Sequence, residues 1–414
     1  MGTVLYILRC EFLSTTIGCG FSANSSLSQG TVILSHLASP LSASPPEYSQ
    51  LLPPREKFSW CYTSPSRISL EKHGEIMKAL LLALLFLTSA GLLPRRPTAS
   101  LPAPASARGF LFVANQGDHT ALVVDLDSRK VVSKTVVDIN GHEVAVAPSH
   151  HLGYVPIYGN SGVGRPGTDG SSIHVVDLKE GRDIQIINLG KPVRPHCAKF
   201  APDGMLYVSA ELANALDVVD PASGRVIGEV PTGAAESHMF VLSPDGKRAY
   251  TANVGPGSVS VLDLQKRAVI AVIPVSKTVQ RISISTDGRY VFTQDQTAPR
   301  IAVIDTATNK VARSIDLPAK VYSSTPTPDG KLLIANASSG KLFVIDLSTE
   351  KVVGDYAIPA ATGEIAVDGT SDHAYVTCPQ KGTIEFLDLR GGKLESPLVL
   401  TPGLDGIEWF PAIS

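Results

Sequence analysis

SHMFVLSPDGKRAYTANVGPGSVSVLDLQKRAVIAVIPV, residues 237–275, reads as four short strands in succession. His238-Met239-Phe240-Val241-Leu242 is an apolar run, Ser243-Pro244-Asp245-Gly246 turns it, and Arg248-Ala249-Tyr250-Thr251-Ala252-Asn253 returns. Val254-Gly255-Pro256-Gly257 turns the chain again, Val259-Ser260-Val261-Leu262-Asp263 alternates with period two, and residues 268–275 supply an outer strand. The Asp-Gly step belongs at the first turn because a tight hairpin needs a positive φ that glycine adopts without steric cost.

The unit repeats along the chain. Two large apolar residues run into a strand-ending aspartate at Asp125, Asp177, Asp220, Asp263, Asp305, Asp346 and Asp388, and successive differences are 52, 43, 43, 42, 41 and 42 residues. Asp-Gly returns at Asp203-Gly204, Asp287-Gly288 and Asp329-Gly330, with Asp368-Gly369 near the same turn but slightly out of register. A period near 42 residues with four strands per unit predicts an all-β, seven-bladed β-propeller with four-stranded antiparallel blades. Phe110-Leu111-Phe112-Val113-Ala114-Asn115 begins at a second strand, and Gly406-Ile407-Glu408-Trp409-Phe410-Pro411 reads as a first strand with nothing after it. Each completes the other, so the C-terminal strand is expected to close the ring inside the N-terminal blade, which removes the exposed edges.

A chain of 414 residues would ordinarily hold two or three domains, but the fixed period makes 108–414 one. Formal net charge is −2, from 36 basic and 38 acidic residues, so charge indicates no nucleic-acid partner. Hydrophobic residues at 43% with 18% charged residues fit a well-filled β-rich fold.

Residues 1–76, rich in Ser, Pro and Leu with Cys10, Cys19 and Cys61 at no metal-ligand spacing, have no place in the repeat and read as an appended, disordered or misassigned leader, with the true start expected at Met77. Met77 and Lys78 precede an apolar run over 79–93, the n-region and h-region of a secretory signal peptide, so 77–107 are expected to be signal and linker. That run is short for a membrane span, so cleavage near Thr88-Ser89-Ala90 or Ala105-Ser106-Ala107 is expected, leaving a periplasmic or secreted protein without a span. Cys197 and Cys378 fall in well-separated blades and read as free buried thiols.

Tyr375-Val376-Thr377-Cys378 and Tyr250-Thr251-Ala252-Asn253, each followed by a Gly-containing turn and an apolar run into Asp, resemble the repeats of the YncE-like YVTN β-propeller family. Ser-Pro-Asp-Gly-Lys at 243–247 and Thr-Pro-Asp-Gly-Lys at 327–331 are similar to that family's hairpin. The resemblance covers about 300 residues. It implies fold, and surface or periplasmic location, far more than activity.

In such blades the second-to-third turns and the blade-to-blade connections share one face of the disc, here termed upper. Aligning each first strand backward from its hairpin places His142, His196 and His238 at one position in three consecutive blades, with Gln280, Tyr322 and Gly363 in the others. The next position carries Glu143, Cys197, Met239, Arg281, Ser323 and Glu364, with Glu408 assigned as the seventh member. Three imidazoles beside carboxylates suit a divalent metal such as zinc. The competing readings are a metal-free ligand pocket at a ring centre, and repeated blades that keep similar residues hydrogen-bonded to one another.

The 52-residue interval holds an insertion, residues 158–172, which belongs to the upper face and reads as a lid carrying Arg165. Its Gly162-Val163-Gly164-Arg165-Pro166-Gly167 matches a dinucleotide fingerprint by accident, since no helix is expected to follow. Asn115, Glu211, Asn253 and Asn336 end second strands and read as turn caps; His150, His151 and His373 read as solvated turns, His119 as a single loop residue, and His174 as packed.

The leading expectation is a monomeric, cofactor-free module that binds a small molecule or protein on its upper face. Its contact set is His142, His196, His238, Glu143, Arg281, Tyr322, Glu364, Glu408 and Arg165. The alternative is a lactonase-like hydrolase or a metal-dependent enzyme with metal on His142, His196 and His238, Glu143 or Glu364 as base, and Arg281 as a further catalytic candidate. No Cys-x-x-Cys-His haem attachment occurs, and with Trp60 and Trp409 as the sole tryptophans the repeated Trp docking of quinoprotein propellers is missing.

Overall fold

Blade 4 shows how each sheet is built. Ser237–Leu242, Arg248–Asn253, Ser258–Asp263 and Ala268–Pro274 pair antiparallel in chain order, so the strands predicted from 237–275 are those that form. The computed structural model describes residues 108–412 apart from 164, 336–338 and 360. The leader, the signal segment and Asn336 lie outside the described residues. Among those described, seven such sheets follow one another, their first strands being Leu404–Phe410, Ala145–Val146, Pro195–Phe200, Ser237–Leu242, Val279–Ile284, Ser323–Pro326 and Ile365–Val367. The C-terminal strand Leu404–Phe410 pairs antiparallel with Phe110–Asn115, with Phe110 opposite Phe410, Phe112 opposite Glu408 and Val113 opposite Ile407. The ring closes as its sequence pattern predicts.

Second and third strands carry apolar or small residues on both faces because each blade is covered by two neighbours. Phe112, Phe240, Tyr250, Phe292 and Phe386 are fully buried between blades. Each contributes about 1.5–3 kcal/mol by leaving water. Fourth strands alternate exposed and half-buried residues, as Lys130–Val136 and Arg225–Pro231 do, since they form the rim. Cys197 and Cys378 are buried free thiols.

The repeated aspartates cap the turn that follows them. Asp125 accepts from the Ser128 amide, Asp263 from Lys266, Asp305 from Ala307 and Thr308, Asp346 from Ser348 and Thr349, and Asp388 from Gly391. A carboxylate two or three residues before a backbone N–H is the shortest side chain that satisfies such a donor.

A further device recurs at the inner end of the blades. The register against the second strand jumps by one residue at Ser237/Met239, Pro195/Ala198 and Val279/Ile282, and in the closing pair at Val113/Asn115. The residue before the bulged segment takes a left-handed backbone at Asn140, Arg194, Glu236 and Gly403. A bulge adds one unpaired residue and re-aims its side chain. Here that residue belongs to the histidine row.

Candidate functional site

His142, His196, His238, Gln280, Tyr322 and Asp405 line one cavity of about 470 Å³ at the upper end of the central channel, the bulges aiming His196, His238, Gln280 and Asp405 into it. Seating Leu404 opposite Asn115 and Ile407 opposite Val113 makes these residues equivalent to Ser237 and Phe240, which face Asn253 and Thr251. Asp405 therefore completes the histidine row and Gly406 the row below it. Glu408, expected as a member of the lower row, sits deeper, at the place of Val241. A terminal strand has no hairpin after it from which to count, so its register was not readable from the Asp-Gly anchor.

The three imidazoles are stacked. His196 lies between His142 and His238, with ring centroids 4.3 and 3.6 Å away and interplanar angles of 31° and 40°. Tyr158 sets its ring edge-on to His142, His196 and His238 at 4.8, 5.4 and 6.0 Å. Each outer imidazole is held by a carboxylate: His142 Nδ1 lies 2.6 Å from Asp405 Oδ2, and His238 Nδ1 lies 2.7 Å from Glu211 Oε2. Gln280 Nε2 lies 3.2 Å from His238 Nε2, so its amide donates to the lone pair and the proton of His238 sits on Nδ1. His196 Nδ1 is buried and has no hydrogen-bond partner among the described residues.

Burial, followed by the charges of neighbouring groups, decides protonation. Burial holds His196 well below the ordinary imidazole range, and His238 and His142 add to the effect. Burial likewise brings His238 down to about 4, although its Glu211 contact pulls the other way. Burial raises Asp405 and Glu211, but His142 holds Asp405 below the usual carboxylate range, and His238, Tyr158 and Arg194 do the same for Glu211. At the mouth, His196 and His238 are thus neutral, hydrogen-bonding rings, and the outer imidazoles are anchored by ionised carboxylates.

This arrangement does not fit the expected metal. A zinc site needs three or four lone pairs converging on one point, whereas these rings face one another and both outer Nδ1 atoms are engaged by carboxylates. Among the described residues, no group of three or more His, Cys, Asp or Glu side chains is disposed to hold an ion.

The insertion covers one side. Ser161, Gly162, Val163 and Arg165 line the mouth, and the strand Asp169–Asp177, rather than a helix, follows the Gly-rich stretch. Arg194 ties the loop down: its guanidinium donates to the carbonyls of Gly162 at 3.1 Å and Arg165 at 3.3 Å, and to Asp169 at 2.6 Å. The same guanidinium reaches Glu211 at 3.4 Å. Glu211, which the sequence places as a turn cap, instead joins the lid anchor to His238, and the Tyr158 hydroxyl donates to both its oxygens at 2.9 and 3.0 Å. Asn115 does act as a cap, accepting from the Gly117 amide, whereas Asn253, expected as a turn cap, instead ties together the hydroxyls of Ser237, Thr251, Ser258 and Ser260.

Beneath the mouth the channel is plugged. Arg281, 3% exposed, pairs with Glu143, with Glu364 at 2.8 Å and with the Tyr322 hydroxyl, over whose ring it also lies. Glu143 is pushed up to about 8, first by burial and then by Glu364; burial raises Glu364 as well. One guanidinium cannot hold two buried anions, so the pair retains a proton. Glu143 and Glu364 are therefore held beneath the cavity instead of facing it as bases. Glu143, Arg281, Glu364 and Glu408 lie below the row formed by the histidines, Tyr322 and Asp405, with Arg281 alone of these four lining the cavity as its floor, and Arg165 stands at the lid.

Tyr158, Arg194, Glu211, Gln116 and Asp405 belong to the site without a repeat-position signal. Only Tyr158 and Glu211 carry a local one, as a bulky aromatic and an acid ending adjacent second strands. His174 is packed, its Nδ1 2.5 Å from Asp183. His373, read as a solvated turn, instead joins Asp368 at 3.0 Å and Arg108 at 2.5 Å.

Residues 201–324 match the family model described as YNCE-like beta-propeller. An uncharacterized protein YncE of Salmonella typhi is 23% identical over 53% of this chain and 66% of its own length. An uncharacterized protein YwhL of Bacillus subtilis is 24% identical over 69% of this chain and 61% of its own. The chain thus spans just under two thirds of the curated relatives it matches. Among solved structures, a hydrazine synthase chain of Kuenenia stuttgartiensis superposes with a TM-score of 0.60 at 19% identity, covering 72% of this chain and 99% of that one. A dihydro-heme d1 dehydrogenase, NirN, superposes with a TM-score of 0.55 at 14% identity, over 76% of this chain and 79% of its own. At these identities the likeness is one of fold.

Proposed function

This chain is a YncE-like seven-bladed β-propeller, and on that premise we propose that it is a binding module that takes a small polar molecule into its upper mouth. The observation that carries this reading is the cavity of about 470 Å³ into which three imidazoles, the Gln116 and Gln280 amides, the Tyr322 ring and the exposed Arg165 all converge. A concave ring centre with a few fixed polar groups is a common form of small-molecule site. Burial keeps His196 and His238 uncharged, so recognition at those rings rests on hydrogen bonds and ring stacking. Titration of the protein with a library of small polar metabolites, followed through histidine side-chain NMR, tests it. Binders are expected to move the His142 and His238 resonances and to weaken at least tenfold in Gln280→Ala. Binders that leave those resonances unmoved would defeat the proposal. The pattern of Met77, Lys78 and the apolar run over 79–93 supports a periplasmic or secreted location, and N-terminal sequencing of exported protein tests it; no described helix is long and apolar enough to cross a membrane.

A second reading has its own observation. The pairs His142–Asp405 and His238–Glu211, at 2.6 and 2.7 Å, have the geometry in which a carboxylate orients a general base. In a hydrolase of this architecture His142 or His238 takes the proton of an attacking water, and Glu143 and Glu364 serve the fold. Turnover of lactones and esters that falls by about 10²–10⁴ in Asp405→Asn would establish it.

A further inference from the structure

The channel has a second chamber below the Arg281 plug, and it has no part in the function proposed above. The register that sets the histidine row also sets a row two layers deeper: Ala145, Lys199, Val241, Ser283, Thr325, Ala366 and Glu408. Five of these are small or apolar. Lys199 and Glu408 are the two charged members, and Ala145 stands between them in the ring. A cavity of about 350 Å³ opens here to the lower face, lined by Lys199, Thr325, Ile407, Glu408 and Trp409 among others.

Lys199 and Glu408 interact through space but form no ion pair within 4 Å. Among the described residues the Lys199 ammonium has no hydrogen-bond partner, and Glu408 has one, the Val146 amide at 3.3 Å. Burial opposes the charge on Lys199, yet Cys197 and the carboxylates of Glu408, Glu143 and Glu364 keep it cationic. Burial raises Glu408 in turn. Two opposite charges, each drawn out of bulk water and neither satisfied by the other, are costly as they stand. Lysine and glutamate at such places in a structural plug would pair, as Arg281 and Glu143 do one layer above.

We propose that the lower mouth is a binding site for a zwitterion of the amino-acid class, its carboxylate on Lys199, its ammonium on Glu408 and its side chain against Ile407 and Trp409. A molecule carrying both charges on one carbon bridges the gap left by Ala145 and satisfies both groups at once. A simple anion would satisfy Lys199 and leave Glu408 unpaired. The hydroxyl of Thr325, in the same row, is a further donor or acceptor for the carboxylate.

Thermal-shift measurements with each of the twenty free amino acids find the best probe, and calorimetry compares it with its N-acetyl and amide derivatives. The intact zwitterion is expected to bind at least tenfold more tightly than either derivative, which lacks one charge. Lys199→Met and Glu408→Gln, checked for an unchanged circular dichroism spectrum, are each expected to lose tenfold or more, whereas Gln280→Ala in the upper mouth is expected to bind the probe unchanged. The proposal is overturned if no amino acid binds, if the N-acetyl derivative binds as well as its parent, or if Lys199→Met retains full affinity. Loss in Gln280→Ala alone would assign the probe to the upper mouth instead.

Discussion

At the scale of single residues, the central channel holds opposed proton linkages. Glu143 is raised to about 8 by burial and by Glu364, while an unfolded glutamate ionises near 4.5. Between those values the folded state holds more protons than the unfolded one, so stability contributed by protonated Glu143 falls as pH rises through about 8. His238, lowered to about 4 against an ordinary 6.5, does the reverse: between pH 4 and 6.5 the unfolded state holds more protons, so stability falls as the solution is acidified. The two slopes offset each other from about pH 4.5 to 6.5, leaving an alkaline limb that belongs to Glu143. We expect the urea midpoint of the wild type to decline from pH 6.5 to 8.5, by up to about 1.4 kcal/mol per pH unit in stability. Glu143→Gln is expected to flatten that limb, and His238→Gln, which removes the offsetting slope, to extend the decline down to about pH 4.5. Parallel profiles in wild type and Glu143→Gln would show that the Arg281 plug holds no such proton.

At the scale of elements, the Asp-Gly hairpins have two kinds of surroundings that the repeat pattern does not distinguish. Gly246 and Gly330 both have positive φ, at 67° and 82°. A Cβ on Gly246 would meet Pro202 Cδ of the preceding blade at 2.6 Å, whereas one on Gly330 would meet nothing within 4 Å. The Ser-Pro-Asp-Gly turn at 243–246 thus nests on the proline of the blade before it, as the Ser-Thr-Asp-Gly turn at Gly288 does on Pro244 at 2.9 Å. Gly330→Ala is expected to cost about 1 kcal/mol, the backbone term alone. Gly246→Ala is expected to cost about 2–4 kcal/mol, because overpacking adds to that term. Equal denaturation midpoints for the two variants would refute the nesting. The first-strand bulge is the other element-level device, and alternation of apolar residues does not encode it: an extra residue shifts the face of every side chain above it, which is how the row aligned from the hairpins comes to stand on the channel.

At the scale of the whole molecule, closure depends on a strand about 300 residues from its partner in sequence. Removing residues 404–414 strips the inner strand from blade 1, exposes the edge of Phe110–Asn115, and deletes Asp405 from the mouth. The truncated chain is expected to elute from size exclusion as aggregates and to unfold without a cooperative transition; a monomer with the wild-type melting temperature would show that the ring holds without its closing strand. The repeat itself was legible in the sequence, since apolar runs, Asp-Gly turns and strand-ending aspartates act over four or five residues and recur with the blade. His142, His196 and His238 were legible for the same reason, standing at equal offsets from their hairpins. Asp405, Glu211 and Arg194 were not: Asp405 has no hairpin after it to count from, Glu211 and Arg194 stand where the neighbouring blade carries Asn253 and Glu236, and their roles come from contacts between groups 17 to 263 residues apart. By itself, then, the sequence determined the number of blades, their order and the way the ring closes, because local periodicity sets strand pairing and a closed ring leaves few alternatives. Which nitrogen of each imidazole is engaged, that the channel is plugged by Arg281, and that Lys199 and Glu408 stand apart below it were decided only in the tertiary structure, because burial and through-space charge act between residues that the chain does not place together.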